Sequence, residues 1–227
     1  MIFYVVATPI GNLDDMTYRA IRVLSNVDVI LCEDTRTTKN LLNHYKIITR
    51  TMSYHANSDD GKENTIIKMI KEGKTLALVS DAGTPCISDP GVRLVKRLYE
   101  EFPHISVQAI PGANALISAL SISGISVAEF TFLGFVPHKK GRASFFGKVA
   151  QSEIPVVFYE SPHRIMKMLS SLTNVLEKNT HHSIIVAREL TKIYEEVVRG
   201  SAIEVLSYFE NHPDHVRGEF VVIVSPK

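Results

Sequence analysis

Six short segments combine residues that bend the backbone with residues that bind through directed hydrogen bonds. They are Thr8-Pro9-Ile10-Gly11-Asn12, Glu33-Asp34-Thr35-Arg36, Ser80-Asp81-Ala82-Gly83-Thr84-Pro85, Pro111-Gly112-Ala113-Asn114-Ala115, Tyr159-Glu160-Ser161-Pro162-His163-Arg164 and Arg188-Glu189-Leu190-Thr191-Lys192. Gly and Pro let a backbone approach a ligand closely, and Asp and Asn add directional donors and acceptors. One such loop alone reads as an ordinary turn. Glu33 to Arg36 also fits a surface ion pair of little energetic weight. Arg164 at a helix start opposes the helix dipole, a local conflict that favours a functional reason for it. His181-His182 has no partner at metal-ligand spacing and is expected to face solvent, and no metal site is expected. Met166 and Met168 read as core and surface packing. Several chemistries lack their signature. TPIGNLDD after the first strand is not the three-glycine dinucleotide fingerprint, no GxxxxGK[ST] occurs, and Ser80-Asp81-Ala82-Gly83 is not a nucleophile elbow.

The elements around these segments explain their placement. In the first half, apolar runs at Ile2–Thr8, Val27–Cys32, Leu76–Val79 and Val107–Ile110 predict buried strands, with a further strand over Arg50–His55. Helical spacing falls over Thr17–Ser25 (Tyr18, Ile21 and Leu24 on one face), Lys39–Tyr45, Asn64–Glu72 and Val92–Glu101, and Gly73 suits a C′ position. Unbroken apolar strands alternating with helices predict a mostly parallel α/β sheet, and ligands in such sheets lie at the carboxyl ends of strands. In the second half a helix is expected over Ala113–Ile122. Strands are expected over Phe130–Phe135, Val156–Tyr159, Ser183–Ala187, Glu196–Arg199 and Phe220–Val224, with helices over Arg164–Glu177 and Ala202–Glu210. His138 to Arg142 reads as an exposed basic turn. Short connections among the last strands predict a mixed sheet. The reading is thus two α/β domains, residues 1–121 with a mostly parallel sheet and 122–227 with a mixed one.

Composition sets the outer bounds. With 227 residues, 45% hydrophobic and 22% charged, the chain can bury a sizeable core and is not disordered. Its 25 basic and 24 acidic side chains give a net charge of +1, which argues against a uniformly basic nucleic-acid protein but not against a local patch. Cys32 and Cys86 show no disulfide pattern and fit a reducing compartment. The N-terminus has no signal-like pattern and no apolar run is long enough to span a membrane, so a cytoplasmic protein with no membrane partner is expected.

The blocks ATPIGNLDD, EDTR, SDAGTPCISDPG, PGANA, FYESPHR and ARELTKIYEEVVRG, in this order, resemble the ribosomal RNA small subunit methyltransferase I family. These are 2′-O-methyltransferases of the tetrapyrrole-methylase superfamily. The match runs from Tyr4 to about Val224. The resemblance implies two α/β domains of the tetrapyrrole-methylase type with S-adenosylmethionine in the cleft between them. It also implies a homodimer, and a substrate that is a cytidine ribose in the decoding centre of 16S rRNA, reached within the small ribosomal subunit. By motif position, the cofactor falls to Pro9, Asp81, Thr84, Asn114, Ala115, Tyr159, Ala187 and Gly218. RNA contacts fall to Arg36, Lys139, Lys140, Arg142, His163, Arg164, Arg188, Lys192 and Arg199. Two departures stand out: family members usually continue past GEFVVIV with a small helical extension whereas this sequence ends at Lys227, and GFVPHKKGR replaces the commoner GFLP followed by Arg-Lys.

Methyl transfer from a sulfonium is an in-line displacement in which positioning supplies up to roughly 7–11 kcal/mol. A general base adds about 10²–10⁴-fold. Glu33, Glu160 and Glu189 are the candidate bases, with Asp34 and His55 beside them. Two alternatives remain open: a small-molecule, tetrapyrrole-type methyltransferase of the same superfamily, and a non-catalytic RNA-binding or ribosome-assembly factor. Near-neutrality fits weak nonspecific RNA binding with reliance on a shaped substrate.

Overall fold

The computed structural model describes residues 1–176 and 182–226, in two units, Met1–Asn114 and Ala115–Lys227. The division falls at Asn114, ahead of the sequence-based boundary, because the helix from Ala115 packs on the last strand of the second sheet.

In the first unit the apolar runs form β1 (Ile2–Val6), β2 (Val29–Cys32), β3 (Thr51–Ser53), β4 (Leu76–Val79) and β5 (Ser106–Ile110). All pair in parallel, in the order β3-β2-β4-β1-β5. Helices α1 (Tyr18–Asn26), α2 (Thr35–His44), α3 (Asp60–Lys71) and α4 (Val92–Glu101) connect them. Period-two alternation sends the strand side chains to two cores. Val6, Ile30, Cys32, Ala77 and Val79 pack with Ala20 and Leu24 of α1 and Leu42 of α2. Phe3, Val29, Leu31, Leu76 and Leu78 pack with Ile66, Ile67 and Ile70 of α3 and Leu94 and Leu98 of α4. Each fully buried aliphatic side chain contributes about 1.5–3 kcal/mol. Three helices start on side-chain caps: Thr17 accepts from the Ala20 N–H, Asp34 from Arg36 and Asp59 from Lys62. These caps explain why α2 and α3 begin four residues before the apolar spacing does. Gly73 takes the C′ place, its N–H donating to Ile70 O and that of Lys74 to Met69 O. Of the expected face Leu24 is buried, together with Ala20, but Tyr18 departs from it and is exposed.

The second unit contains α5 (Ala115–Ile122), β6 (Thr131–Phe135), α6 (Arg142–Gln151), β7 (Val156–Glu160), α7 (Ile165–Leu176), β8 (His182–Arg188), β9 (Glu196–Gly200), α8 (Ala202–Asn211) and β10 (Phe220–Pro226). The sheet order is β6-β7-β10-β8-β9; only β6 and β7 pair in parallel, so the sheet is mixed as expected. Helix α6 was not expected from the sequence; it buries Phe145, Phe146 and Val149. The expected end of α7 at Glu177 lies outside the described residues, as does His181. His182 is corrected: it is buried at the start of β8 rather than solvated, because β8 pairs with β10 from its first residue.

Candidate active site

Strands β1 and β4 are neighbours, yet the chain leaves β1 for β2 on one side and β4 for β5 on the other. Their helices lie on opposite sheet faces, so the carboxyl ends of β1 and β4 form a switch point, where open α/β sheets bind ligands. The loops there are fastened together. The Thr8 N–H donates to Gly83 O (2.8 Å) and the Gly83 N–H returns to Thr8 O (3.0 Å). The buried Thr8 hydroxyl donates to Ser80 O (3.1 Å) and the Ser80 hydroxyl to Gly83 O (3.0 Å). The loop after β5 joins through Thr84, whose Oγ1 donates to Ala113 O (3.2 Å) and accepts from Asn114 Nδ2 (3.2 Å). The loop after β2 joins through Asp81, whose Oδ1 accepts the Asp34 N–H at 3.1 Å. Four of the six sequence blocks thus become one hydrogen-bonded lattice that includes Thr8, Asp81, Thr84 and Asn114. Pro9 lies buried in the first of these loops, and Ala115 opens α5.

The Ser80–Gly91 stretch is also conformationally demanding. Cys86 and Ser88 sit at φ +72° and +63°, in the left-handed region. Gly91 (φ +133°) has no room for a side chain: a β-carbon would lie 2.5 Å from Leu78 Cδ2 and 2.6 Å from Cys86 Sγ. Within this stretch Asp89 is half-buried. Its carboxyl is pushed up to about 6, first by burial and then by the charges of Glu33 and Asp81. Asp34 goes the other way, to about 2, because Arg36 hydrogen-bonds its carboxylate through side chain and backbone. Asp89 stood inside a quoted motif without a role; its Asp-Pro-Gly context reads only as a turn, and the neighbouring charges come from loops far apart in sequence.

In the second unit the register sorts the candidates onto two faces. Glu160, Phe220, Arg188 and Glu196 pair across β7, β10, β8 and β9 in one row. Phe220 belongs to the core under α6, α7 and α8, so this row points inward. Tyr159, Val221 and Ala187 form the adjacent row on the opposite face. There Tyr159 meets the rings of Phe132 and Phe135 edge-on, and Ala187 is buried.

Inward placement gives several charged candidates structural partners. Glu160 is buried; its Oε1 accepts from Arg164 Nη2 and the Ser161 N–H at 2.7 and 2.8 Å, while Oε2 has no hydrogen-bond partner among the described residues. Arg164 also donates to Val136 O (2.9 Å). Arg188 is buried, with Nε 2.7 Å from Glu196 Oε2 and Nη1 on the carbonyls of His215 and Arg217. Glu189 accepts from Lys192 Nζ (2.7 Å) and the Glu219 N–H (3.1 Å). Burial raises the Glu189 carboxyl, but those donors outweigh it and hold it below the usual range. Of Glu33, Glu160 and Glu189, only Glu33 is exposed. His55 is exposed just beyond β3.

Among the basic candidates, Arg36, Lys139, Lys140, His163 and Arg199 are exposed. Arg199 packs on the turn after α5, donating to Ile122 O. Arg142 lies over the Phe146 ring (4.9 Å to the centroid), and Lys192 bridges Glu189 and Glu219. Among the described residues no group of three or more His, Cys, Asp or Glu side chains is placed to hold a metal ion.

Residues 3–206 match the family described as tetrapyrrole (corrin/porphyrin) methylases. The ribosomal RNA small subunit methyltransferase I of Halalkalibacterium halodurans is 46% identical over 222 residues, 97% of this chain and 74% of that protein. That of Thermotoga maritima is 41% identical over 223 residues, 98% of this chain and 97% of that protein. The chain belongs to the ribosomal RNA small subunit methyltransferase I family. Solved structures of lower identity show the same fold. The cobalt precorrin-4 methyltransferase CbiF aligns with a TM-score of 0.70 at 15% identity, covering 99% of this chain and 94% of that one. Uroporphyrin-III C-methyltransferase from Thermus thermophilus, complexed with S-adenosylhomocysteine, aligns at 0.64 and 16%, covering 99% and 96%. Membership in the methyltransferase I family accounts for all six loop blocks appearing in order.

Proposed function

We propose that this methyltransferase, using S-adenosylmethionine, methylates the 2′-oxygen of a cytidine ribose in the decoding centre of 16S rRNA. The observation that carries the reading is 41–46% identity, over 97–98% of the chain, to relatives named for methylation of small-subunit ribosomal RNA. The tetrapyrrole enzymes match at 15–16% identity, which speaks for fold alone.

The residues at the switch point suit the cofactor. Asp81 uses one carboxylate oxygen for the Asp34 N–H and keeps the other for a ligand donor. Glu33, Asp81 and Asp89 lie close enough together to displace the Asp89 titration, and such a field favours a cation such as a sulfonium. When bound, S-adenosylmethionine supplies a methyl group on positively charged sulfur. Thr8, Ser80, Thr84 and Asn114 hold the loop backbone in place before binding, which lowers the ordering cost. Pro9 and Ala115, and in the second unit Tyr159, Ala187 and Gly218, complete the proposed cofactor set. Glu33, exposed at the end of β2, is the carboxylate best placed to accept the ribose hydroxyl proton. Arg36, Lys139, Lys140, Arg142, His163 and Arg199 are the proposed phosphate contacts, since phosphate contacts fix register on RNA.

The same reading includes a homodimer acting in the cytoplasm on the assembled small subunit. The rRNA substrate supports the location; separately, no helix among the described residues is long and apolar enough to cross a membrane. The test is transfer of tritiated methyl from S-adenosylmethionine to small subunits lacking the modification, followed by digestion to nucleosides. Recovery of labelled 2′-O-methylcytidine, lost with Asp81→Ala, is expected. Label on a porphyrinogen instead, or full transfer by Asp81→Ala, overturns it.

A further inference from the structure

Arg36 occupies a place that local physics disfavours. It lies in the first turn of α2, where the helix dipole repels a cation, and its side chain is 89% exposed. It is nevertheless held by its backbone N–H and by one edge of its guanidinium. Asp34 Oδ1 accepts from the Arg36 N–H (2.7 Å) and from Nε (3.2 Å), and Asp34 Oδ2 from Nη2 (2.8 Å). An exposed pair of this kind contributes little to stability. Its geometric effect is larger. A guanidinium gripped along its Nε–Nη2 edge loses side-chain freedom and leaves the Nη1 edge facing solvent, an edge shaped for two oxygens of a phosphate. The grip is itself anchored, because the Asp34 N–H donates to Asp81 Oδ1 at 3.1 Å. The orientation of Arg36 is therefore tied to the loop after β4.

We propose that Asp34 is a positioning residue that presents the outer edge of the Arg36 guanidinium to a phosphate of the RNA substrate, at a distance from the cofactor loop fixed by Asp81. This rests on the RNA-methylation reading above. Asp34 then acts on substrate capture rather than on the chemical step.

The experiment compares wild type, Asp34→Asn, Arg36→Lys, Arg36→Ala and the Asp34→Asn/Arg36→Ala double variant. Asn caps helices as well as Asp, so Asp34→Asn keeps the start of α2 and removes only the charged fork. Arg36→Lys keeps the charge and removes the fork's geometry. Two readouts are used: filter binding of unmodified small subunits across a salt series, and steady-state methyl transfer. Arg36→Ala is expected to weaken subunit binding about tenfold and to flatten the salt dependence by roughly one phosphate contact. Asp34→Asn and Arg36→Lys should each weaken it about five-fold, with KM rising in step, kcat changing less than twofold and calorimetric affinity for S-adenosylmethionine unchanged. The double variant should match Arg36→Ala. Wild-type affinity in Asp34→Asn, or additive losses in the double variant, overturns the proposal. Binding is read without methyl transfer: wild type that binds subunits but transfers no methyl group would sink the 2′-O-methylation reading and leave this inference standing.

Discussion

The carboxylate of Glu189 fills the space that a β-carbon on Gly218 would occupy. Gly218 sits at φ +82°, and Glu189 itself takes the left-handed value of +49°. The two conformations are one arrangement: the absent side chain lets Glu189 fold back to meet Lys192 and the Glu219 N–H. Gly218→Ala should therefore lower stability by about 2–4 kcal/mol, from backbone strain and a broken ion pair together. Adding Glu189→Ala removes the clash, so the double variant should be less destabilised than the sum of the two single changes. Urea unfolding of the four proteins measures this; strict additivity would show that the contact does not matter.

Glu63 of α3 anchors a second network, which reaches Tyr54 and helix α4. It is buried, accepts from Tyr54 OH (2.9 Å) and Arg93 Nε (2.7 Å), and pairs with Arg97 at 3.5 Å. Burial, then the Glu63 hydrogen bond and charge, pushes the Tyr54 phenol up to about 12. A raised phenol contributes stability that is complete below pH 10 and is lost as the pH rises through about 12. Glu63→Gln should bring the Tyr54 titration, followed by phenolate absorbance, down towards 10. It should also cost about 2–3 kcal/mol, below the usual loss for a broken buried pair because Arg93 is half exposed.

The first sheet was legible as parallel because apolar strands alternating with helices admit few arrangements. Its strand order was not, since that depends on pairings between distant segments. The same holds inside the site. The Asp34–Asp81 bond joins residues 47 apart, and Arg188 finds its carbonyl acceptors 27 and 29 residues away. A motif arginine therefore reads as available when the fold has already used it. Period-two alternation does place Tyr159 and Glu160, or Ala187 and Arg188, on opposite faces. Which face is the core follows only from where α6, α7 and α8 pack. Helix α6 escaped notice because its apolar residues, Phe145, Phe146 and Val149, follow directly on a basic turn and are interrupted by Gly147.

Asp89 gives stability a pH dependence of definite sign. Its folded carboxyl titrates at about 6 against an unfolded value near 3.8. A raised carboxyl contributes stability that is fully present below the unfolded value and lost as pH rises through 6. The ionised group thus destabilises the fold at neutral pH, by at most about 3 kcal/mol and roughly half that after solvent screening of a half-exposed side chain. Asp89→Asn should unfold at higher temperature than wild type at pH 8, with the gap closing between pH 6 and pH 4. An equal gap at both ends of that range would rule out the carboxyl as its source.

Arg188 tests whether a motif arginine serves the RNA or the fold. Its guanidinium joins Glu196 of β9 to the carbonyls of His215 and Arg217, while Glu196 also accepts from Tyr208 and approaches His215 Nδ1 at 3.0 Å. Burial raises the Glu196 carboxyl, yet Tyr208, Arg188 and His215 together hold it below the usual range. Arg188→Met keeps the volume and stem but leaves Glu196 with weaker partners and two carbonyls without their donor. A loss of about 2–4 kcal/mol is expected, since the pair is buried on the arginine side and only part-buried on the other. Where the variant remains folded, the salt dependence of its binding to small subunits should equal that of wild type, because Arg188 is buried and its Nε and Nη1 are engaged within the fold. A slope flattened by about one contact, with thermal stability unchanged, would return Arg188 to the RNA-binding surface.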